Sequence, residues 1–177
     1  MKKLSVILSM IAIFIFFTGL VQTAFACSDI FINHPNAHIE ARSMDFGMNI
    51  AIHDTFGFIG QDNTTDIVLD AEKIPTGRLT SWKNKYGYWG RFVFHTPKVD
   101  DAMNTEGLSI SGLYLDGYTQ YPEYNPADKR PVLGVFDIIN FLISQARNVD
   151  EAVALIRSHQ IVQSAAEIKP GIFLKNT

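Results

Sequence analysis

The sequence predicts an α+β domain with sheet and helix in separate layers, and three observations predict it. Short β-rich runs with period-two alternation fill most of residues 28–115, and two helical patterns follow each other over residues 135–157. No repeat, low-complexity tract or Pro/Gly/Ser linker divides residues 27–177, so they read as one domain.

Residues 1–26 read as a signal peptide and stand outside the fold. Lys2 and Lys3 give a positive start, Ile7 to Phe17 is almost continuously apolar, and Ala24-Phe25-Ala26 places small residues at −3 and −1 of a cleavage site. The apolar run is shorter than the ~20 residues a membrane span needs. Cleavage before Cys27 predicts an exported protein, periplasmic or extracellular, of 151 residues (177 less 26), with no membrane span left after cleavage. Loss of Lys2 and Lys3 takes the formal net charge from −3 to −5. A mildly acidic chain without basic runs excludes nucleic-acid binding as an expectation.

After the cut, Ser28 to Asn33 reads as a strand, His34-Pro35-Asn36 as a turn, and His38 to Ser43 as the returning strand. Ile50 to Ile59 and Thr65 to Leu69 are further strand candidates, split by Gly60-Gln61-Asp62-Asn63. Trp82 to Phe94, rich in aromatics, reads as one strand whose Gly87 and Gly90 allow close backbone approach. Leu108 to Leu115 is another strand, after the turn Asn104-Thr105-Glu106-Gly107. Tyr118 to Pro131 reads as a long polar loop. Val135 to Ala146 is apolar on nearly all sides, as a helix buried between layers is. Asn148 caps the next helix, paired with Glu151, and Val149, Ala152, Val153 and Ile156 share its apolar face. Ile168 to Leu174 leads into a last strand.

The chain has one cysteine, Cys27, at the first position after the expected cut. An odd Cys in an exported protein points to a functional thiol or intermolecular pairing. Cleavage there creates an α-amine with an ordinary pKa near ~7.7–8.0, on the same Cα as the thiol. That amine can take the thiol proton, which is the logic of N-terminal nucleophiles. Arg42 and Asp45 lie on the returning strand: a guanidinium favours thiolate, and a carboxylate can hold the amine. Asn104, at a turn before a glycine, has an amide able to donate to a developing oxyanion. From spacing alone the bland readings are the usual ones, a surface ion pair for Arg42–Asp45 and a plain turn residue for Asn104.

The segments Cys27-Ser28-Asp29-Ile30-Phe31, Ala41-Arg42-Ser43-Met44-Asp45, Met103-Asn104-Thr105-Glu106-Gly107-Leu108, Ser111-Gly112-Leu113 and Asn148-Val149-Asp150-Glu151-Ala152 resemble the choloylglycine hydrolase family, which includes bile salt hydrolases and penicillin V acylases. The resemblance implies an N-terminal-nucleophile αββα four-layer sandwich. It also implies hydrolysis of a linear amide C–N bond in a conjugated bile salt, penicillin V or N-acyl homoserine lactone. It makes Cys27 the nucleophile, Asp45 the residue orienting its amine, Arg42 the support of the thiolate and Asn104 an oxyanion-hole donor, with a homotetramer at full length. Family members are roughly twice this length, and their second half supplies another catalytic Asn and Arg. The expectation is therefore a truncated domain with little activity of its own.

Two readings compete. Cys27 is lipidated and anchors an exported lipoprotein, although Phe25 at −2 suits a lipid-attachment site poorly; or Cys27 is an incidental buried thiol of an exported binding domain. The five histidines, His34, His38, His53, His95 and His159, lack metal-ligand spacing, and no Gly-rich phosphate loop is present, so neither metal nor cofactor is expected. The residues that choose the amide substrate are not legible.

Overall fold

The computed structural model describes residues 10, 27–43, 55–65, 74–93, 96–115, 118–163, 165–169 and 172–175. The expected leader and Asp45 lie outside the described residues, apart from Met10. No helix among the described residues is long and apolar enough to cross a membrane.

The chain opens as the alternation predicts. β1 (Asp29–His34) and β2 (Ala37–Arg42) form an antiparallel hairpin, registered from Asp29↔Arg42 to His34↔Ala37. Its turn is closed by His34, whose Nδ1 accepts from Asn36 N at 3.2 Å. At the open end Ser43 N donates to Ser28 O at 2.9 Å and Ser28 N donates to Ser43 Oγ at 3.1 Å.

Four strands make the central sheet: β3 (Thr55–Ile59), then β6 (Tyr88–Phe92), β7 (Val99–Asn104) and β8 (Ser109–Ser111), antiparallel in that spatial order. Between β3 and β6 lie two short paired strands, β4 (Thr64–Thr65) and β5 (Trp82–Lys83), and a 3₁₀ turn at Thr76–Arg78. The expected single strand Trp82 to Phe94 is thus two. The chain leaves extended pairing after Lys83, where Lys85 N and Tyr86 N both donate to Ser144 O, at 3.0 and 3.1 Å. That satisfies a carbonyl at a helix end which would otherwise be orphaned.

After the long polar loop, β9 (Val132–Gly134) runs parallel to β10 (Gln160–Val162), a pairing invisible to local pattern. A 3₁₀ turn at Val135–Asp137 precedes α1 (Ile138–Gln145), so the expected helix begins three residues late. α2 (Val149–Arg157) starts as predicted: Asn148 Oδ1 accepts from Glu151 N at 2.9 Å. Glu151 reaches back one residue beyond the cap, accepting from Arg147 N at 3.0 Å. A final hairpin pairs β11 (Ala165–Lys169) with β12 (Ile172–Lys175), so the expected run Ile168 to Leu174 is divided between two strands.

α1 covers one face of the sheet. Tyr88, Val99, Ala102 and Leu108 meet Phe141, Leu142, Ile143 and Ala146 in the main core, with Trp82 set edge-on to Phe141 at 5.2 Å between ring centres. Asn140, also buried, ties the helix to the sheet: its Oδ1 accepts from Val99 N at 3.0 Å, and its Nδ2 donates to Pro97 O at 2.9 Å and Tyr88 Oη at 3.2 Å. Beside it Lys98 Nζ bonds the buried Asp137 carboxylate. The opposite face of the sheet carries Phe56, Phe58, Trp89 and Met103, all exposed.

Candidate active site

One irregularity in β7 builds the site. In regular pairing Asp100 and Asp101 would point to opposite faces. The register instead jumps from Arg91↔Asp101 to Phe92↔Val99, leaving Asp100 as the extra residue of a β-bulge. Val99 and Ala102 stay buried under α1, while both aspartates turn to the outward face.

There they receive Arg42, delivered from the end of β2. Arg42 is nearly enclosed, with 7% of its side chain exposed. Its Nη2 donates to Asp100 Oδ2 at 3.0 Å, and Nη1 donates to the carbonyl oxygen of Gly112. Arg91, from β6, grips the same carboxylate: Nε donates to Asp100 Oδ1 at 2.9 Å and Nη2 bonds Oδ2. Asp100 therefore bridges two guanidiniums with good hydrogen bonds. Asp101 lies beside both, its Oδ2 3.1 Å from Arg42 Nε and 3.2 Å from Arg91 Nη2, and its carboxylate also takes a hydrogen bond from Ser111. Yet Arg42 Nε and Asp101 Oδ1 are both buried without a hydrogen-bond partner among the described residues. Burial, and then the neighbouring Asp100 charge, push the Asp101 carboxyl above its ordinary value, against the pull of Arg42. A second tie joins hairpin and sheet, where Ser111 Oγ donates to Glu40 Oε1.

Glu40, Arg42, Phe56, Trp89, Asp101 and Met103 line a cavity of about 280 Å³ between the hairpin and this face. Its wall is mostly apolar, with charge gathered at the Arg42 end, a lining suited to an organic substrate anchored by a few polar groups.

The predicted site residues divide. Asp29 pairs with Arg42 directly across the hairpin, and Cys27 lies two residues before Asp29, just ahead of β1. Cys27 is a free thiol, half-buried. Cys27 and Arg42 are thus brought to one end of one hairpin.

Asn104 is not brought there. Its side chain lies on the helix side of the sheet, where Nδ2 donates to Ile143 O at 2.9 Å and Ala146 O at 2.7 Å. Its Oδ1 accepts from Glu106 N and Leu108 N, both at 3.0 Å. Both amide hydrogens and both lone pairs are engaged, so no donor is left for an oxyanion. The expected oxyanion role of Asn104 is corrected on this geometry: the residue staples the turn of β7–β8 to the C-terminal end of α1.

Sequence reasoning missed Asp100, Asp101 and Arg91. An Asp-Asp pair after a β-rich run reads as surface charge unless the bulge is known. Among the described residues no group of His, Cys, Asp and Glu is arranged to hold a metal ion.

Fold and site together define a class. Residues 27–173 match the model of the linear amide C–N hydrolases, choloylglycine hydrolase family, and the chain belongs to that family. Among curated relatives, penicillin V acylase of Pectobacterium atrosepticum is 23% identical over 146 residues, covering 77% of this chain and 35% of that protein. Among solved structures, two variants of conjugated bile acid hydrolase from Clostridium perfringens superpose with TM-scores of 0.60 and 0.62 at 19% and 20% identity. They match 84% and 85% of this chain against 42% and 43% of theirs. Penicillin V acylase from Agrobacterium tumefaciens gives 0.57 at 19% identity, over 86% of this chain and 52% of that one. The α+β N-terminal-nucleophile hydrolase fold expected from the sequence is the one these neighbours share, and the chain spans about a third to a half of their length.

Proposed function

We propose that this chain carries the nucleophile end of an exported amide hydrolase, activated when residues 1–26 are removed and Cys27 becomes the first residue. The observation that supports it most is the hairpin, whose open end has the half-buried thiol of Cys27 just ahead of one strand and the clamped Arg42 at the end of the other.

In this mechanism the freed α-amine takes the Cys27 proton, and the thiolate sulfur attacks the substrate carbonyl carbon. The C–N bond breaks as the amine's proton passes to the leaving nitrogen, leaving an acyl thioester on Sγ. Water then gives a proton to the α-amine and adds to the thioester, releasing the acid and restoring the thiol. Arg42, its charge shared with Asp100 and Asp101, fixes the hairpin end and favours the thiolate from there. Asp45 holds the amine. The substrate is a small-molecule amide of the conjugated bile salt, penicillin V or N-acyl homoserine lactone type. A homotetramer and a periplasmic or extracellular location complete the reading.

The test is made on the protein exported with its own leader. N-terminal sequencing is expected to start at Cys27, and iodoacetamide to alkylate its thiol. Incubation with penicillin V is expected to add the phenoxyacetyl mass to wild type and neither to Cys27→Ala nor to the alkylated protein. A different mature N-terminus, or no adduct on wild type, overturns the mechanism.

A further inference from the structure

A second cavity, of about 340 Å³, lies apart from the hairpin, where the 3₁₀ turn at Thr76–Arg78 meets the loop before β9 and the residue before β10. Arg78, Thr80, Ser81, Lys129 and His159 supply its polar wall, and no carboxylate among the described residues lines it. Among the described residues three cations, Arg78, Lys129 and Arg130, share one carboxylate here. That carboxylate, Asp128, is chelated by Arg130 through Nε at 3.0 and 3.1 Å and Nη2 at 2.6 Å, and it also feels the Arg78 charge. Arg78 itself donates to main-chain oxygens, Arg130 O at 2.9 Å and Asp128 O, which hold the guanidinium in place.

Two buried atoms of its lining residues, Arg78 Nε and Thr80 Oγ1, have no hydrogen-bond partner among the described residues. Buried donors left unmade are costly and mark a place where a ligand or water belongs. Lys129 Nζ donates to Pro126 O at 3.1 Å and adds a second positive charge. His159 is fixed by donation from Nδ1 to Leu155 O at 2.8 Å, since a carbonyl can only accept; its Nε2 is left for other contacts.

We propose that this cavity binds a phosphoryl group, as free phosphate or on a small organic phosphomonoester. The cations Arg78 and Lys129 answer the charge of about −1.5 to −2 that such a group carries near pH 7. Hydroxyl, guanidinium and ammonium donors from two chain segments suit a tetrahedral oxyanion better than a planar carboxylate. The site is separate from the Cys27 chemistry and stands whether or not that chemistry is right.

Calorimetric titration of the purified full chain at constant ionic strength tests it, with inorganic phosphate, glycerol phosphate and acetate as probes. Saturable one-to-one binding of phosphate or glycerol phosphate is expected, with acetate much weaker. Tighter binding of glycerol phosphate identifies an organic phosphomonoester, and equal or tighter binding of phosphate identifies the free anion. Arg78 also ties two loops together, so the exposed Lys129 carries the decision: Lys129→Gln is expected to weaken binding about tenfold. Lys85→Gln, outside the cavity, is expected to leave it unchanged. No saturable binding of either phosphate, acetate binding equally well, or equal affinity in Lys129→Gln and wild type overturns the assignment.

Discussion

Replacing Asp100 with Asn probes the clamp from which the site is built. Asp100, Arg42 and Arg91 expose 18%, 7% and 13% of their side chains, so solvent screens their interaction weakly. Among the described residues the two enclosed guanidiniums would then face one carboxylate, Asp101, with Arg42 Nε and Asp101 Oδ1 left without a hydrogen bond. Breaking a buried ion pair costs about 3–5 kcal/mol. The Asn oxygen keeps one acceptor, which puts the expected loss near the lower end, about 3 kcal/mol, a large share of the ~5–15 kcal/mol that holds a domain together. Urea unfolding at pH 7, followed by tryptophan fluorescence, measures it. Asp101→Asn is the internal contrast. With its folded pKa above the ordinary 3.8, Asp101 favours folding while protonated, and that contribution disappears as pH rises through the folded value. At pH 7 its substitution therefore removes a penalty along with a partner and is expected to shift stability by less than about 1 kcal/mol. Pairing Asp100→Asn with Arg91→Gln restores the charge balance, so the double variant is expected to be more stable than the sum of the singles implies. A loss below about 1 kcal/mol for Asp100→Asn, or a larger loss for Asp101→Asn, refutes the clamp.

Asn104→Asp places a carboxylate against the carbonyls of Ile143 and Ala146 and is expected to destabilise more than Asn104→Ala, which itself costs about 2–4 kcal/mol; urea midpoints rank them. Lys98→Met strands Asp137, whose carboxyl burial raises above the ordinary 3.8, so its destabilisation is expected to be small in acid and to grow as pH climbs through the folded value. Thermal unfolding from pH 4 to 8 shows whether the difference has that sign. Gly90→Ala puts a methyl 2.7 Å from Val99 Cγ1 and 3.2 Å from Asp101 O, at the bulge itself, and is expected to cost about 1–3 kcal/mol by differential scanning calorimetry.

The sequence by itself determined whatever rests on local pattern. Alternation across Ser28 to Ser43 with a Pro-Asn turn gave the first hairpin, and Asn148 with Glu151 gave the start of α2, because caps and turns are settled by a few neighbouring residues. Residues quoted for the family resemblance led to the family that the chain belongs to, through the order of its motifs. Tertiary structure decided what depends on which face a residue occupies. A one-residue bulge at Asp100 turned an unremarked Asp-Asp pair into the seat of Arg42, and intact alternation after it sent Asn104 to the helix side, away from that seat. The parallel pairing of β9 with β10 likewise joins segments 28 residues apart in register, Val132 with Gln160. A period-two pattern fixes the spacing of side chains along a strand, but the partner strand's hydrogen bonds choose where the count slips. That choice is made by packing across the sheet, and no run of neighbouring residues encodes it.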